Sequence, residues 1–268
     1  MRIPLFHIVR ECWQNRYRLW RLSAYDLKVR NSETLLGFLW NFLNPALQIF
    51  VYWFVFAIGL RSSAPKEGYS YLIWMIFGIM PWFFINNAIM GSITSIVGFR
   101  GVLKRMRFPV SIVPAKAVLS AFIEHLWAML VVMALFFASG YRVGVHALNL
   151  LYFMVCALAF LFGFGLFASA VNVVFRDFQK IMNSVLRLLF YISPVVWSQD
   201  SLPEHLKFVL RLNPFAYIID GYRESVLYNH TLMFHGKQAV YFWCVTVLML
   251  LIGAAVHDKL CRQFMDIV

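Results

Sequence analysis

The feature that most constrains this chain is a series of apolar stretches, each long enough to cross a lipid bilayer. Leu35 to Leu60 contains no charged residue, and neither does Gly68 to Phe99. A helix rises about 1.5 Å per residue, so roughly 20 residues cross a hydrocarbon core about 30 Å thick. Further runs cover Ala117 to Tyr141, interrupted by Glu124 and His125, then Val145 to Phe175 and Gln238 to Val256. A weaker run from Phe178 to Ser198 is broken by Arg187 and ends near Pro194. The pattern predicts an all-α, polytopic membrane protein with six transmembrane helices. With 62% hydrophobic and 13% charged residues and a mean hydropathy of +0.71, the chain cannot be a soluble domain, which would be about a quarter charged.

The basic residues set the orientation. Between the second and third runs lies Phe99 to Lys116, which holds Arg100, Lys104, Arg105, Arg107 and Lys116 and no acid. Lys and Arg in short loops stay on the cytoplasmic side. Placing this loop and the N-terminus inside puts 17 of the 24 Lys and Arg on the cytoplasmic side, with both termini there. The net charge of +12 therefore predicts contact with anionic lipid, not nucleic acid. Gly101 to Phe108 is long enough for about two helical turns, and Pro109 and Pro114 end it and restart the chain. A short basic helix held against the membrane between two spans offers another protein a surface to push on. The coupling candidates are Gly101, Lys104, Arg105, Arg107 and Phe108; a solvated loop on lipid headgroups is the alternative.

Two further segments fall outside the spans. In residues 1–34, Trp13, Tyr17, Trp20, Ala24 and Leu27 recur at helical spacing, with Glu11, Gln14, Arg18 and Arg21 on another side. This predicts an amphipathic helix lying in the interface. Ile3 to Val9 is too short for a signal-peptide core, so the start is expected to be mature protein. Residues 198–237 mix Pro203, Pro214, charges and apolar patches, too polar to cross and too apolar for a free loop. They are expected to form two short re-entrant helices on the outer side, packed against protein. Cys12, Cys156, Cys244 and Cys261 show no CxxC spacing, which supports neither a disulfide framework nor a metal site.

With these runs in place, short motifs carry a resemblance. Asp26-Leu27-Lys28-Val29-Arg30, Leu36-Gly37-Phe38-Leu39-Trp40 and Asn44-Pro45 are similar to the approach to the first span of ATP-binding-cassette exporter permeases for cell-surface polymers. So are Phe108-Pro109, Asn172-Val173, Phe175-Arg176-Asp177, Ser193-Pro194 and Leu212-Asn213-Pro214. The similarity covers nearly the whole chain. Among the branches it looks most like the wall teichoic acid permeases, with O-antigen and capsule exporters next. The resemblance implies a homodimer in a bacterial cell membrane, driven by two copies of a separate ABC ATPase docked on the basic loops. Its substrate would be a polyprenyl-diphosphate-linked polymer moved outward, and ATP and Mg would be bound by the ATPase, with no cofactor on this chain. The absence of any GxxxxGK[ST] agrees, since the ATP phosphates then have no cradle here. Lys28, Arg30, Trp40, Arg176 and Arg187 are the candidates for the substrate path and its entrance.

Other constellations have structural alternatives. Gly163-Phe164-Gly165-Leu166-Phe167-Ala168 mimics a dinucleotide fingerprint, but it sits in an apolar span where small residues serve helix packing. Glu124 and His125 suggest the acid and base of a membrane-embedded transferase or a proton site of a secondary transporter, yet adjacent helical residues point about 100 degrees apart; an enzyme acting on a polyprenyl carrier would use the acids Glu124 and Asp177. By a rise of about 1.5 Å per residue, Glu124 and Arg187 both lie near the midplane. There they either neutralise each other or leave Arg187 facing an anionic polymer.

Overall fold

The computed structural model describes residues 4–30, 35–59, 68–105, 108–199, 203–228 and 236–267. Among these residues all regular structure is helical. Two helices, α1 (Pro4–Gln14) and α2 (Arg16–Arg30), precede α3 (Trp40–Trp53), which continues in wider π-helical turns over Phe54–Gly59. α4 (Tyr71–Gly98), the six-residue α5 (Arg100–Arg105), α6 (Ile112–Ala138) and α7 (Asn149–Val174) follow. The chain ends with α8 (Phe178–Ile192), α9 (Glu204–Arg211), α10 (Pro214–Arg223) and α11 (Gly236–Ile267).

Five helical segments are long and apolar enough to cross a membrane: Trp40–Gly59, Tyr71–Leu103, Ile112–Ala138, Val145–Val174 and Gly236–Leu260. The chain is therefore a multi-pass membrane protein. The run predicted as a fifth span differs. Its helix, α8, has only 15 residues, a rise of about 22 Å, because the chain breaks at Ser193-Pro194. The third span begins at Ile112, five residues earlier than expected. Pro114 caused that error: it sits in the first helical turn, where its missing N–H costs nothing.

Local chemistry sets several other boundaries. Ser70 caps α4 by accepting the Ile73 N–H at 3.4 Å. Asn213 caps α10 by accepting the Phe215 N–H at 3.0 Å, with Pro214 in the first turn. Of the expected two-turn basic helix, the described residues show Arg100–Arg105 as helical, and Met106 and Arg107 lie outside the described residues.

α4 is the centre of the bundle and packs on α6, α7 and α10. Its Trp74, Phe77, Phe84, Ile85 and Ile89 are buried. Small residues let the neighbouring backbones approach. A Cβ on Gly253 of α11 would stand 2.2 Å from the Gly163 carbonyl of α7, and a Cβ on Gly165 would stand 2.8 Å from the Ser92 hydroxyl of α4. The apparent dinucleotide fingerprint is thus a helix-packing surface. Asn172 closes the same contact by donating its amide to the Ile93 carbonyl at 2.9 Å.

The segment between α8 and α11 enters the core, as its apolar patches require. Phe215, Ile218, Ile219 and Tyr222 of α10 are buried, but Phe208 and Val209 of α9 are exposed. The N-terminal region is two helices broken at Asn15, whose amide donates to the Glu11 carbonyl at 2.9 Å. Trp13, Tyr17 and Trp20 face outward, while Ile8 packs against Leu166 and Ala254. Burial, helped by Glu11, pushes the Cys12 thiol up to about 11, so it is inert near neutral pH.

Candidate functional site

α3 has no buried residue; two hollows lie between it and the pair α4 and α6, and one more lies between α2, α4 and α6. At the α5 end of the bundle, Asp26, Asn87, Gly91, Thr94, Ser95 and Lys116 line the first, of about 400 Å³. The middle hollow, of about 320 Å³, shares Asn87 and Ala121 with it and adds Trp40, Asn41, Asn44, Gln48, Asn86 and Glu124. A third, of about 400 Å³, shares Asn41, Pro45, Met80 and Ala128 with the middle one and is otherwise apolar, with Phe50, Trp53 and Leu135. Together they form one groove along most of α4, polar at one end and in the middle and greasy beyond. Asn41, Asn44 and Gln48 fall on one face of α3 through their three- and four-residue spacing.

The floor of the middle hollow is fixed from behind. His125 is buried and its Nε2 lies 2.9 Å from the Tyr222 hydroxyl of α10. Its ring stacks on Phe84 with centroids 5.0 Å apart. Glu124, one residue earlier, is half-buried and faces the hollow.

At the α5 end, α2 is pinned to α6. Lys116 meets Asp26 at 2.7 Å, and its ammonium lies 5.6 Å from the Phe99 ring centroid. The buried Ser23 donates to the Lys116 carbonyl at 3.3 Å, and Ser120 donates to the Ser23 carbonyl at 3.4 Å. Phe108 packs on Phe99 with centroids 5.5 Å apart. This contact anchors the chain on both sides of α5, on which Gly101 and Arg105 are exposed and Lys104 sits.

Buried polar groups also organise the far end. Arg223 is 2% exposed and donates to the carbonyls of Trp74 at 3.3 Å and Pro194 at 2.6 Å and to that of Val195. Asp220 lies 3.7 Å from it. Tyr71 donates its hydroxyl to the Val196 carbonyl, and the Asn213 amide donates to the Ser193 hydroxyl at 2.8 Å. The turn after α8 is held by side chains that replace the backbone partners it lacks.

The sequence-derived candidates divide by place. Gly101, Lys104, Arg105 and Phe108 gather at the α5 end, and Trp40 lines the middle hollow. Lys28 is exposed near the end of α2, Arg30 ends that helix, and Arg176 is exposed in the turn after α7. Arg187 is exposed on α8 and donates its Nε to the Asn183 carbonyl at 3.3 Å; it forms no ion pair with Glu124. Sequence reasoning missed the amides of the groove and counted Arg223 as an ordinary loop charge. The amide spacing on α3 could have revealed the groove. Apart from Asp220 one turn earlier, nothing local marks Arg223, whose carbonyl partners lie 28 or more residues away.

A helical bundle with membrane-length segments and a polar groove along α4 defines a polytopic membrane protein with a hydrophilic recess. The chain belongs to the ABC-2 type transporter family, whose model matches residues 17–227. It is 27% identical over 247 residues to the O-antigen export system permease protein RfbA of Klebsiella pneumoniae, covering 92% of this chain and 93% of that protein. The RfbA protein of Myxococcus xanthus is 26% identical over 264 residues, 98% of this chain and 99% of its own. The polysialic acid transport protein KpsM of Escherichia coli is 23% identical over 237 residues, 88% and 90% of the two chains. Membership of a transporter family sets aside the transferase reading.

Proposed function

We propose that this chain is the membrane-spanning subunit of an ATP-driven exporter that moves a lipid-linked polysaccharide of the O-antigen or capsule type out of a bacterial cell. The carrying observation is the groove between α3, α4 and α6, which offers a polar route among helices otherwise apolar. Wall teichoic acid, the substrate expected from the motifs, gives way to these glycans, because the relatives are named for O-antigen and polysialic acid.

In this reading two copies of the chain pair, and two copies of a separate ABC ATPase dock on α5. ATP and Mg sit on that partner. The α5 end and both termini face the cytoplasm, in keeping with the excess of Lys and Arg there. The α8 segment completes a sixth crossing together with the turn that follows it, and α9 and α10 form the re-entrant outer element. Lys28, Arg30 and Arg176 lie near the entrance for a polyprenyl diphosphate headgroup, and Arg187 faces the path completed by the second copy.

Deletion of the gene tests the proposal. Surface polymer should disappear while lipid-linked polymer accumulates inside, and the wild-type gene should reverse both. Normal surface polymer in the deletion strain would overturn it.

A further inference from the structure

The apolar third hollow is walled by Phe42, Ile49 and Phe50 of α3, Ile76 of α4 and Val131 and Val132 of α6. Among the described residues no charged side chain lines it. Phe50, Val131 and Leu135 line it and are nevertheless exposed, so it opens sideways, toward the bilayer. Apolar space left unfilled forfeits the contacts of its lining. Because α3 buries no residue of its own, whatever fills this space sets how α3 sits against α4 and α6.

Size narrows the occupant. A dry apolar cavity of about 150 Å³ takes one benzene, about six carbons. At the same density the hollow, of about 400 Å³, takes about 16 carbons. That is one fatty-acyl chain of a bilayer phospholipid. A longer polyisoprenyl chain would have to continue into the middle hollow, where Asn44, Gln48, Asn86 and Asn87 present amides in place of apolar surface.

The two ends of the hollow fix the direction of the chain. Leu72 and Leu135 lie at the end away from α5, while Met80 and Ala128 are shared with the middle hollow. Just beyond Leu72, the Ser70 N–H donates to the Tyr141 hydroxyl at 3.4 Å. Tyr69 and Tyr141 pack with ring centroids 5.1 Å apart, and Arg142 is exposed beside them. Tyrosines with a guanidinium at a membrane surface suit a phosphate head.

We infer that the third hollow binds one acyl chain of a bilayer phospholipid, with the phosphate head by Tyr141 and Arg142 and the chain end at the amides. The lipid is a wedge that holds α3 off α4 and α6 and thereby sets the width of the polar middle hollow. This site goes beyond the export reading and is tested without transport.

The test is photo-crosslinking of the purified full chain in phosphatidylglycerol vesicles. A trace of phosphatidylglycerol carries a diazirine on one acyl chain, either near the ester or at the last carbon. The first probe should label Leu72 and Leu135, and the second Met80 and Ala128. Ala46→Trp and Ala128→Trp fill the hollow from α3 and from α6. Each should lower labelling about tenfold, since the chain loses its apolar contacts, in protein shown to be folded by circular dichroism. If Ala128→Trp does not fold, Ala46→Trp decides, because Ala46 is exposed. Undiminished labelling of the folded Ala46→Trp protein overturns the inference, and so does the reverse order of labelled residues. Labelling abolished by a few mole percent of unlabelled polyprenyl diphosphate would make this a carrier-lipid site and overturn it too. Absence of label on all four residues in folded wild type, as when a second copy fills the hollow, has the same force.

Discussion

Arg223 lies over the indole ring of Trp74, its guanidinium carbon 3.6 Å from the ring centroid. The pair joins the end of α10 to the first turn of α4. Trp74 in turn donates its indole N–H to the Tyr228 hydroxyl at 3.1 Å, so the stack is fixed at both ends. No Cβ fits beside it: one on Gly78 would stand 2.0 Å from the guanidinium.

Removing this cation should be severe. Arg223→Ala strands three buried carbonyls and weakens the hold on Asp220, a loss of about 3–5 kcal/mol by comparison with other broken buried pairs. Arg223→Lys should recover only part of it, because one ammonium cannot serve acceptors on several sides as a planar fork does. Thermal unfolding of the purified protein in detergent measures both, and an Arg223→Ala protein melting with the wild type would refute the assignment.

The α7–α11 contact makes a second prediction. Gly253→Val places a side chain against the Gly163 backbone, where no flexible atom can yield. Overpacking of this kind costs about 1–3 kcal/mol. Gly101→Val serves as a control, since a Cβ there meets nothing within 4 Å. A melting temperature lowered in the first variant and unchanged in the second is the expected result. Equal behaviour of the two would mean that the helices pack elsewhere.

Arg105 is exposed on α5, and a partner docking there would depend on its charge. Arg105→Glu is expected to abolish stimulation of the ATPase in the assembled complex while leaving the permease folded. Unchanged stimulation and transport would remove α5 from the contact.

The Lys116–Asp26 pair is partly buried and should hold α2 against α6 by roughly 1 kcal/mol. Asp26→Asn should speed amide hydrogen exchange across α2 while leaving α7 unaffected. Trp20, which is 55% exposed, should have its fluorescence quenched by brominated lipid if its face meets the bilayer. Protection of α2 identical to the wild type would show that Ser23 and its neighbours suffice.

The apolar spans were legible because each is a run longer than any soluble helix would tolerate, and turns such as Gly140, at a φ of 82°, punctuate them. The two short helices α9 and α10 were legible as a composition that neither water nor lipid would accept. Phe208 illustrates the limit: the pattern marked it as apolar, but which face of α9 meets the core depends on how Leu210 packs, and that is decided by distant residues. Arg223 shows the same limit from the polar side. A cation between apolar residues reads as a surface charge until the carbonyls of Pro194 and Val195 are brought to it by the turn after α8. The groove amides are weak signals singly, and they acquire meaning only when α3 is set beside α4.

The continuity of α4 has a mechanical consequence. From Arg100 back to Trp74 the chain is helical apart from the Phe99 turn, whose N–H still bonds to the Ser95 and Ile96 carbonyls. That is a rod about 39 Å long, with one internal proline, Pro81, as a built-in point of compliance. A load applied at α5 thus has a direct lever to the Arg223 cluster at the opposite end, passing alongside every hollow of the groove on its way.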